Sequence, residues 1–342
     1  MLVVSRLLSS SISCSSSLRT KYRLKSISSQ MGSENLLPEK RKQATLRLCN
    51  VSSHMTELLE LRAEDPLINI LLIPGNPGII SFYKDFVEAV YELLGGKASI
   101  TAIGHISQTR KNWEGGRLFS LNEQINHKVD FIKNELQYAE IPLLLVSHSI
   151  GSYISLEIFR RLPEQVKYCI GLYPFLSLNK ESAKQSLIGK IVVSQIFSFL
   201  VSSTAAVFGL FPSWASRFLV RRSIGKSWSA TAVEAGCNYL LQYHVMRNVL
   251  FMAMTEFDKL SEAPDWRFIR GKWDQIAFLF GHDDHWGPLS MSEEITKQVP
   301  DVALTIEREG HTHAFCCSEA GSLWVAYHVV SLINRQILIA SQ

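Results

Sequence analysis

The chain has 342 residues, 46% of them hydrophobic and 19% charged, enough apolar side chain for one large α/β domain or two ordinary ones. Its formal charge of +4 is unevenly placed: Arg6, Arg19, Lys21, Arg23 and Lys25 all fall within residues 1–33, which hold no acid. Setting those five aside leaves 30 basic against 31 acidic residues, a balance that argues against a nucleic-acid partner.

Residues 1–44 are expected to be a disordered N-terminal extension. The first 30 or so are Ser-rich and basic, in the manner of a mitochondrial or plastid transit peptide, and Met31 offers a second start that would omit them. The six cysteines include no C-x-x-C pair, which points to reduced thiols in an intracellular protein.

Residues 45–342 read as one domain. Thr45–Val51 and Thr56–Leu61 form strand-like runs around the polar turn Ser52-Ser53, an opening hairpin. The dense apolar run Ile68–Ile73 ends in Pro74-Gly75-Asn76-Pro77-Gly78. A helix follows, with Phe82, Phe86, Val90 and Leu93 on one face, then a strand over 99–106 and a helix over 121–136. Leu143–Val146 is branched and uninterrupted, suited to a strand buried on both faces. Strands alternating with helices at this spacing predict a parallel sheet wound in βαβ units. The pattern continues with a strand at 168–173, lapses over about 177–266, and resumes with strands at 278–281 and 303–306 and a closing helix over 321–337.

The stretch Leu143–Gly151, LLLVSHSIG, runs from strand through tight turn into helix, the setting of a nucleophile elbow with Ser149 at its centre. Ser147 stands where such elbows usually carry their first glycine. An acid pair, Asp283-Asp284, follows a later strand, and His311 and His313 follow the last. Ser, then Asp, then His is the chain order of α/β-hydrolases, and each group falls just past a strand end, where ligands sit in open α/β sheets. In this chemistry the serine attacks an ester carbonyl, a histidine carries its proton, and an acid orients the histidine. Two backbone N–H groups must hold the oxyanion, one from Ile150 and one from the Pro74–Gly78 loop, where Asn76 is best placed because the prolines have none. Residue chemistry alone leaves Asp283 and Asp284, and His311 and His313, as open alternatives. A metal site drawing on the same histidines and aspartates is the lesser reading, since it leaves the serine elbow unexplained. His148 reads as the variable residue of the elbow.

The segments ILLIPGNPG with Phe82-Tyr83, LLLVSHSIGSY, FGHDDHWGP and His313-Ala314-Phe315 resemble the lipid droplet-associated hydrolase family across roughly 68–338. That resemblance implies an α/β-hydrolase fold, with a mostly parallel central sheet, helices on both faces and an inserted apolar helical cap. It selects Ser149, Asp284 and His313 as the catalytic residues, the histidine preceding Ala-Phe and the acid lying two residues before Trp286. It implies weak serine-esterase activity on neutral lipid or sterol esters at the lipid droplet or endoplasmic reticulum surface, with no cofactor and no metal. The alternative is a droplet-surface lipid-storage protein with little or no hydrolysis. The alternative address is a plastid or mitochondrion, should residues 1–30 act as a transit peptide.

Residues 191–216 carry no charge, a run long enough to span a bilayer, which needs about 20 residues. A single crossing would separate Ser149 from Asp284 and His313, which leaves a cap helix packed over the active site or, the favoured reading, a re-entrant hairpin bent near Gly209 and Pro212. In that reading, about 187–222 contacts the droplet monolayer or reticulum membrane. Trp214, Phe218 and Trp228 serve as aromatic anchors, and Arg217, Arg221, Arg222 and Lys226 as basic heads.

Overall fold

The computed structural model describes residues 42–136, 141–179, 181–223 and 227–340, so the transit-peptide segment and Lys226 lie outside the described residues. Strands β1 (Thr45–Val51) and β2 (His54–Leu61) form an antiparallel hairpin. Its turn places Ser52 and Ser53 at φ 48° and 70°, the left-handed pair that matches strand twist. Asn50 Oδ1 braces the turn by accepting the Ser53 N–H at 3.0 Å.

The apolar runs then alternate with amphipathic helices. In order they are β3 (Ile68–Ile73), α1 (Lys84–Leu93), β4 (Ala98–Ile103), α2 (Leu121–Phe131), β5 (Leu143–His148), α3 (Ile150–Arg161) and β6 (Val166–Leu172). After the insert come β7 (Ile276–Gly281), α10 (Leu289–Gln298), β8 (Ala303–Glu307) and α11 (Glu319–Ala340). The eight strands lie in the order β1-β2-β4-β3-β5-β6-β7-β8, with every pair from β4 to β8 parallel. All six residues of β5 are buried, as helices on both faces require.

Two elements are shorter than their apolar runs. β4 ends at Ile103, and His105 N–H turns away to the Gly78 carbonyl, leaving 104–108 as a loop. The helix expected over 121–136 begins at a Ser120–Glu123 capping box but widens into a π-turn over Ile132–Leu136.

Between β6 and β7 lie α4 (Ala183–Val193), α5 (Gln195–Gly209), α6 (Ser213–Ser223), α7 (Ala230–Ala235), α8 (Tyr243–Lys259) and α9 (Trp266–Gly271). No described helix is long and apolar enough to cross a membrane alone. The uncharged run breaks near Gly209 and Pro212, and it breaks again where sequence reading placed no bend: α4 and α5 meet at 91° across Ser194. Ser194 is extended and its hydroxyl caps the Phe197 N–H, so it ends one helix and starts the next.

Candidate active site

Ser149 holds φ 56° and ψ −126°, a backbone state that costs a non-glycine residue about 1–3 kcal/mol. Its surroundings over-determine it. Ser149 N–H donates to the Leu172 carbonyl, and the Ser149 carbonyl accepts from Ser152 and Phe175. Gly151 is obligatory, because a Cβ there would lie 2.4 Å from the Ile73 carbonyl oxygen and 2.5 Å from that of Pro74. Ser147 is tolerated in place of glycine because its buried hydroxyl donates to the Ile170 carbonyl at 3.0 Å.

Residues distant in the chain meet above this turn. His313 Nε2 lies 2.9 Å from Ser149 Oγ, and His313 Nδ1 lies 2.7 Å from Asp284 Oδ2. Asp284 Oδ1 accepts the Trp286 N–H at 2.9 Å, so both carboxylate oxygens are engaged. With Asp284 ionised, Nδ1 carries the proton and Nε2 is left to accept from Ser149. Of the competing residues, Asp283 is exposed, and His311 packs its ring 5.6 Å from that of Trp324. Both line a neighbouring cavity of about 350 Å³ with His282 and His285. Among the described residues, no three such side chains are arranged to hold a metal ion.

The Pro74–Gly78 loop faces Ser149. Gly75 N–H donates to Tyr83 Oη at 2.9 Å, and Gly78 N–H donates to Gln108 Oε1 at 2.6 Å. Asn76 is held through its side chain, whose Nδ2 donates to the Val249 carbonyl at 2.9 Å and to Glu256 Oε1 at 2.8 Å. Glu256 is wholly buried, and burial pushes its carboxyl up to about 7. Helix α8 therefore clamps the loop opposite the serine. Ile150 opens α3, so its N–H lies at the positive end of that helix.

His148, set aside in the sequence as a filler, is a structural partner of both sides of the site. Tyr83 O–H donates to His148 Nδ1 at 2.7 Å, and His148 Nε2–H donates to the His313 carbonyl at 2.8 Å. Burial, and the proximity of His313, hold its pKa well below the usual histidine range. The neutral ring thus ties the Gly75 loop to the backbone of His313. One sequence signal for Glu256 existed: it is the sole acid on the apolar Val249–Met252–Ala253–Glu256 face of α8. His148 gave none, since any residue satisfies the motif there.

The cavity at Ser149 measures about 50 Å³, with an apolar lining that includes Phe82, Phe175, Trp228, Leu240 and Trp286. Trp228 and Leu240 belong to the insert.

This strand order, with a serine elbow after β5, defines an α/β-hydrolase fold. A haloalkane dehalogenase variant from Bradyrhizobium elkanii shares the fold at TM-score 0.64 and 12% identity, over 87% of this chain and 99% of that one. A carboxylesterase structure from Nitrososphaera gargenis does so at TM-score 0.57 and 13% identity, over 86% and 99% of the two chains. Residues 66–316 match the family described as lipid-droplet associated hydrolase, and the chain belongs to that family. The lipid droplet-associated hydrolase of Gallus gallus is 28% identical over 268 residues, 73% of this chain and 80% of the relative. That of Dictyostelium discoideum is 28% identical over 314 residues, 83% and 93% of the two. The protein is a hydrolase of the α/β-hydrolase type.

Proposed function

We propose that the protein is a serine esterase that hydrolyses neutral lipid or sterol esters at the surface of lipid droplets or the endoplasmic reticulum. The observation that carries this reading is the unbroken hydrogen-bond chain from Ser149 Oγ through His313 to Asp284, opening on an apolar pocket. Ser149 Oγ attacks the ester carbonyl as His313 Nε2 takes its proton. Asp284 stabilises the imidazolium. The N–H groups of Ile150 and Asn76 hold the tetrahedral oxyanion, which collapses as His313 protonates the departing alkoxide. Water, activated by the same imidazole, then releases the acid from the acyl-enzyme.

The droplet part of the reading rests on the relatives' name and on the insert. Its apolar side chains face solvent: Leu210 is 85% exposed, Ile196 and Trp214 73%, and Phe218 64%. Contiguous apolar surface of this kind marks a lipid or partner contact. The bent α4–α5 pair dips into the monolayer without crossing it, which keeps Ser149, Asp284 and His313 on one side. Labelling of purified protein by a fluorophosphonate probe tests the chemistry. Wild type labels and Ser149→Ala does not; equal labelling of both removes the esterase reading.

One observation favours a second reading, a droplet-coating protein with weak or no turnover. A cavity of about 50 Å³ holds a few water molecules, whereas ligand pockets run to about 300–1,000 Å³. Hydrolysis of a lipid ester requires this cavity to widen. The coating reading does not. Release of fatty acid from droplet-borne ester, compared with release from a short-chain soluble ester, separates the two.

A further inference from the structure

Behind the catalytic pocket, a second and larger groove of about 950 Å³ opens between the β1–β2 hairpin, α6 and α7. Trp214, Arg217, Phe218 and Arg221 of α6 line it at i, i+3, i+4 and i+7, a single helical stripe alternating aromatic ring and guanidinium. Across from them stand Arg110 and Lys84, and the apolar surface includes Leu46, which is 57% exposed. Four cations therefore line the groove against one acid, Glu234. Glu234 pairs with Arg217 at 2.7 Å and Lys84 with Glu88 at 3.8 Å; Arg110 and Arg221 have no carboxylate within salt-bridge distance among the described residues, and Arg110 acts on Glu57 and Glu234 only at longer range. Nothing in the ester hydrolysis proposed above uses these side chains.

We infer that this groove binds the headgroup of an anionic phospholipid, with Arg110 and Arg221 on the phosphate and Trp214 and Phe218 along the upper acyl chain. Three features support that occupant. A guanidinium pair matches phosphate oxygens through bidentate, charge-assisted hydrogen bonds. Indole and phenyl rings beside cations suit the boundary between headgroup and hydrocarbon. Exposed apolar side chains also run along the chain from Ile196 and Phe197 on α5 through Leu210 to Trp214 and Phe218, so the groove adjoins in sequence the segment proposed to meet the monolayer. An acidic peptide would meet the cations but not the rings. The inference rests on the monolayer reading for its geometry, and it adds a lipid-class preference which that reading does not contain.

The test uses purified full-length chain and triolein droplets coated with phosphatidylcholine alone or with one-fifth phosphatidic acid. The expected result is binding to both, tighter on the anionic coat. Arg110→Gln and Arg221→Gln should each weaken binding to the anionic coat about fivefold and leave phosphatidylcholine binding unchanged. Equal binding to the two coats, or an anionic preference that survives both substitutions, overturns the inference. Tryptophan fluorescence with dihexanoyl phosphatidic acid, read against Trp214→Phe, separates this inference from the monolayer reading. A Trp214 shift without droplet binding keeps the groove and removes the monolayer contact. A shift reproduced by inorganic phosphate or an acidic peptide removes the lipid.

Discussion

The groups that hold Ser149, His313 and the Pro74–Gly78 loop find hydrogen-bond partners inside the protein, whereas along α5 and α6 several large apolar side chains lie mostly exposed. The serine, histidine and carboxylate partner one another, and Gly75, Asn76, Gly78 and His148 are each tied to a neighbour. A few turns away, Ile196, Leu210 and Trp214 lie mostly exposed. The contrast separates two kinds of information. The carboxyl end of the sheet encodes a geometry held by contacts within the protein, and that is why a strained backbone persists there. The insert encodes an interface whose other half lies outside the chain. A chemical perturbation should therefore be felt at the first region and a change of surroundings at the second.

The largest effect should come from breaking the pairing at the carboxyl end of the sheet. Asp284→Asn keeps the shape of the side chain but favours the wrong imidazole tautomer, and a drop of roughly 10⁴ in kcat is expected. Asp283→Asn, on an exposed side chain, should stay within about twofold. Hydrolysis rates on a short-chain soluble ester measure both. The reverse ranking would assign the acid to residue 283. Next in size is the core beneath the site. Leu145 is fully buried in β5, so Leu145→Ala should cost about 2–5 kcal/mol in urea unfolding.

The same contrast explains what could be read from the chain. The hairpin, the parallel strands and the elbow were legible because burial on both faces demands continuous apolar runs and because Gly151 has no substitute. Ser149, Asp284 and His313 were legible through their order and their flanking residues, and the structure brings those three side chains together. What stayed hidden depends on contacts far apart in sequence. Glu256 lies 180 residues from the Asn76 it holds, and no local pattern links them. His148 occupies a motif position open to any residue, so its bonds to Tyr83 and the His313 carbonyl leave no trace in composition. The bend at Ser194 was missed because serine in an apolar run reads equally as helix interior and helix cap.

Acid should also distinguish the two regions. His105, His127 and His148 are buried in the sheet-bearing part, and burial holds each well below its ordinary pKa, so each folds neutral. Below about pH 6.5 the unfolded chain binds protons that the folded chain refuses. Their contribution to stability is therefore intact above that pH and lost as pH falls. Glu256 acts in the opposite sense. With its carboxyl pushed up to about 7, its burial penalty shrinks as pH drops from neutrality towards the ordinary glutamate range. The histidines outnumber it, so the urea midpoint should fall between pH 7 and 5.5, by an amount on the order of 2 kcal/mol in stability. Glu256→Gln should steepen that fall. A flat profile would mean that these rings are solvated or charged in the fold.

The smallest effect expected in water is the most informative about the insert. Leu200 is 50% exposed and Phe197 56% exposed on α5. If they serve the packing of the cap, Leu200→Ser and Phe197→Ser should cost stability as core substitutions do. If they face a lipid phase that the buffer lacks, each should shift unfolding by no more than about 0.5 kcal/mol. Serine is also a poorer helix former than leucine, which sets a floor of a few tenths of that unit on any loss. The decisive reading is the ratio of two measurements on one variant. Near-native stability combined with lost flotation on phosphatidylcholine-coated droplets assigns these side chains to the monolayer. A stability loss comparable to that of Leu145→Ala, with flotation retained, would make α5 an ordinary packed helix and move the contact surface elsewhere on the insert.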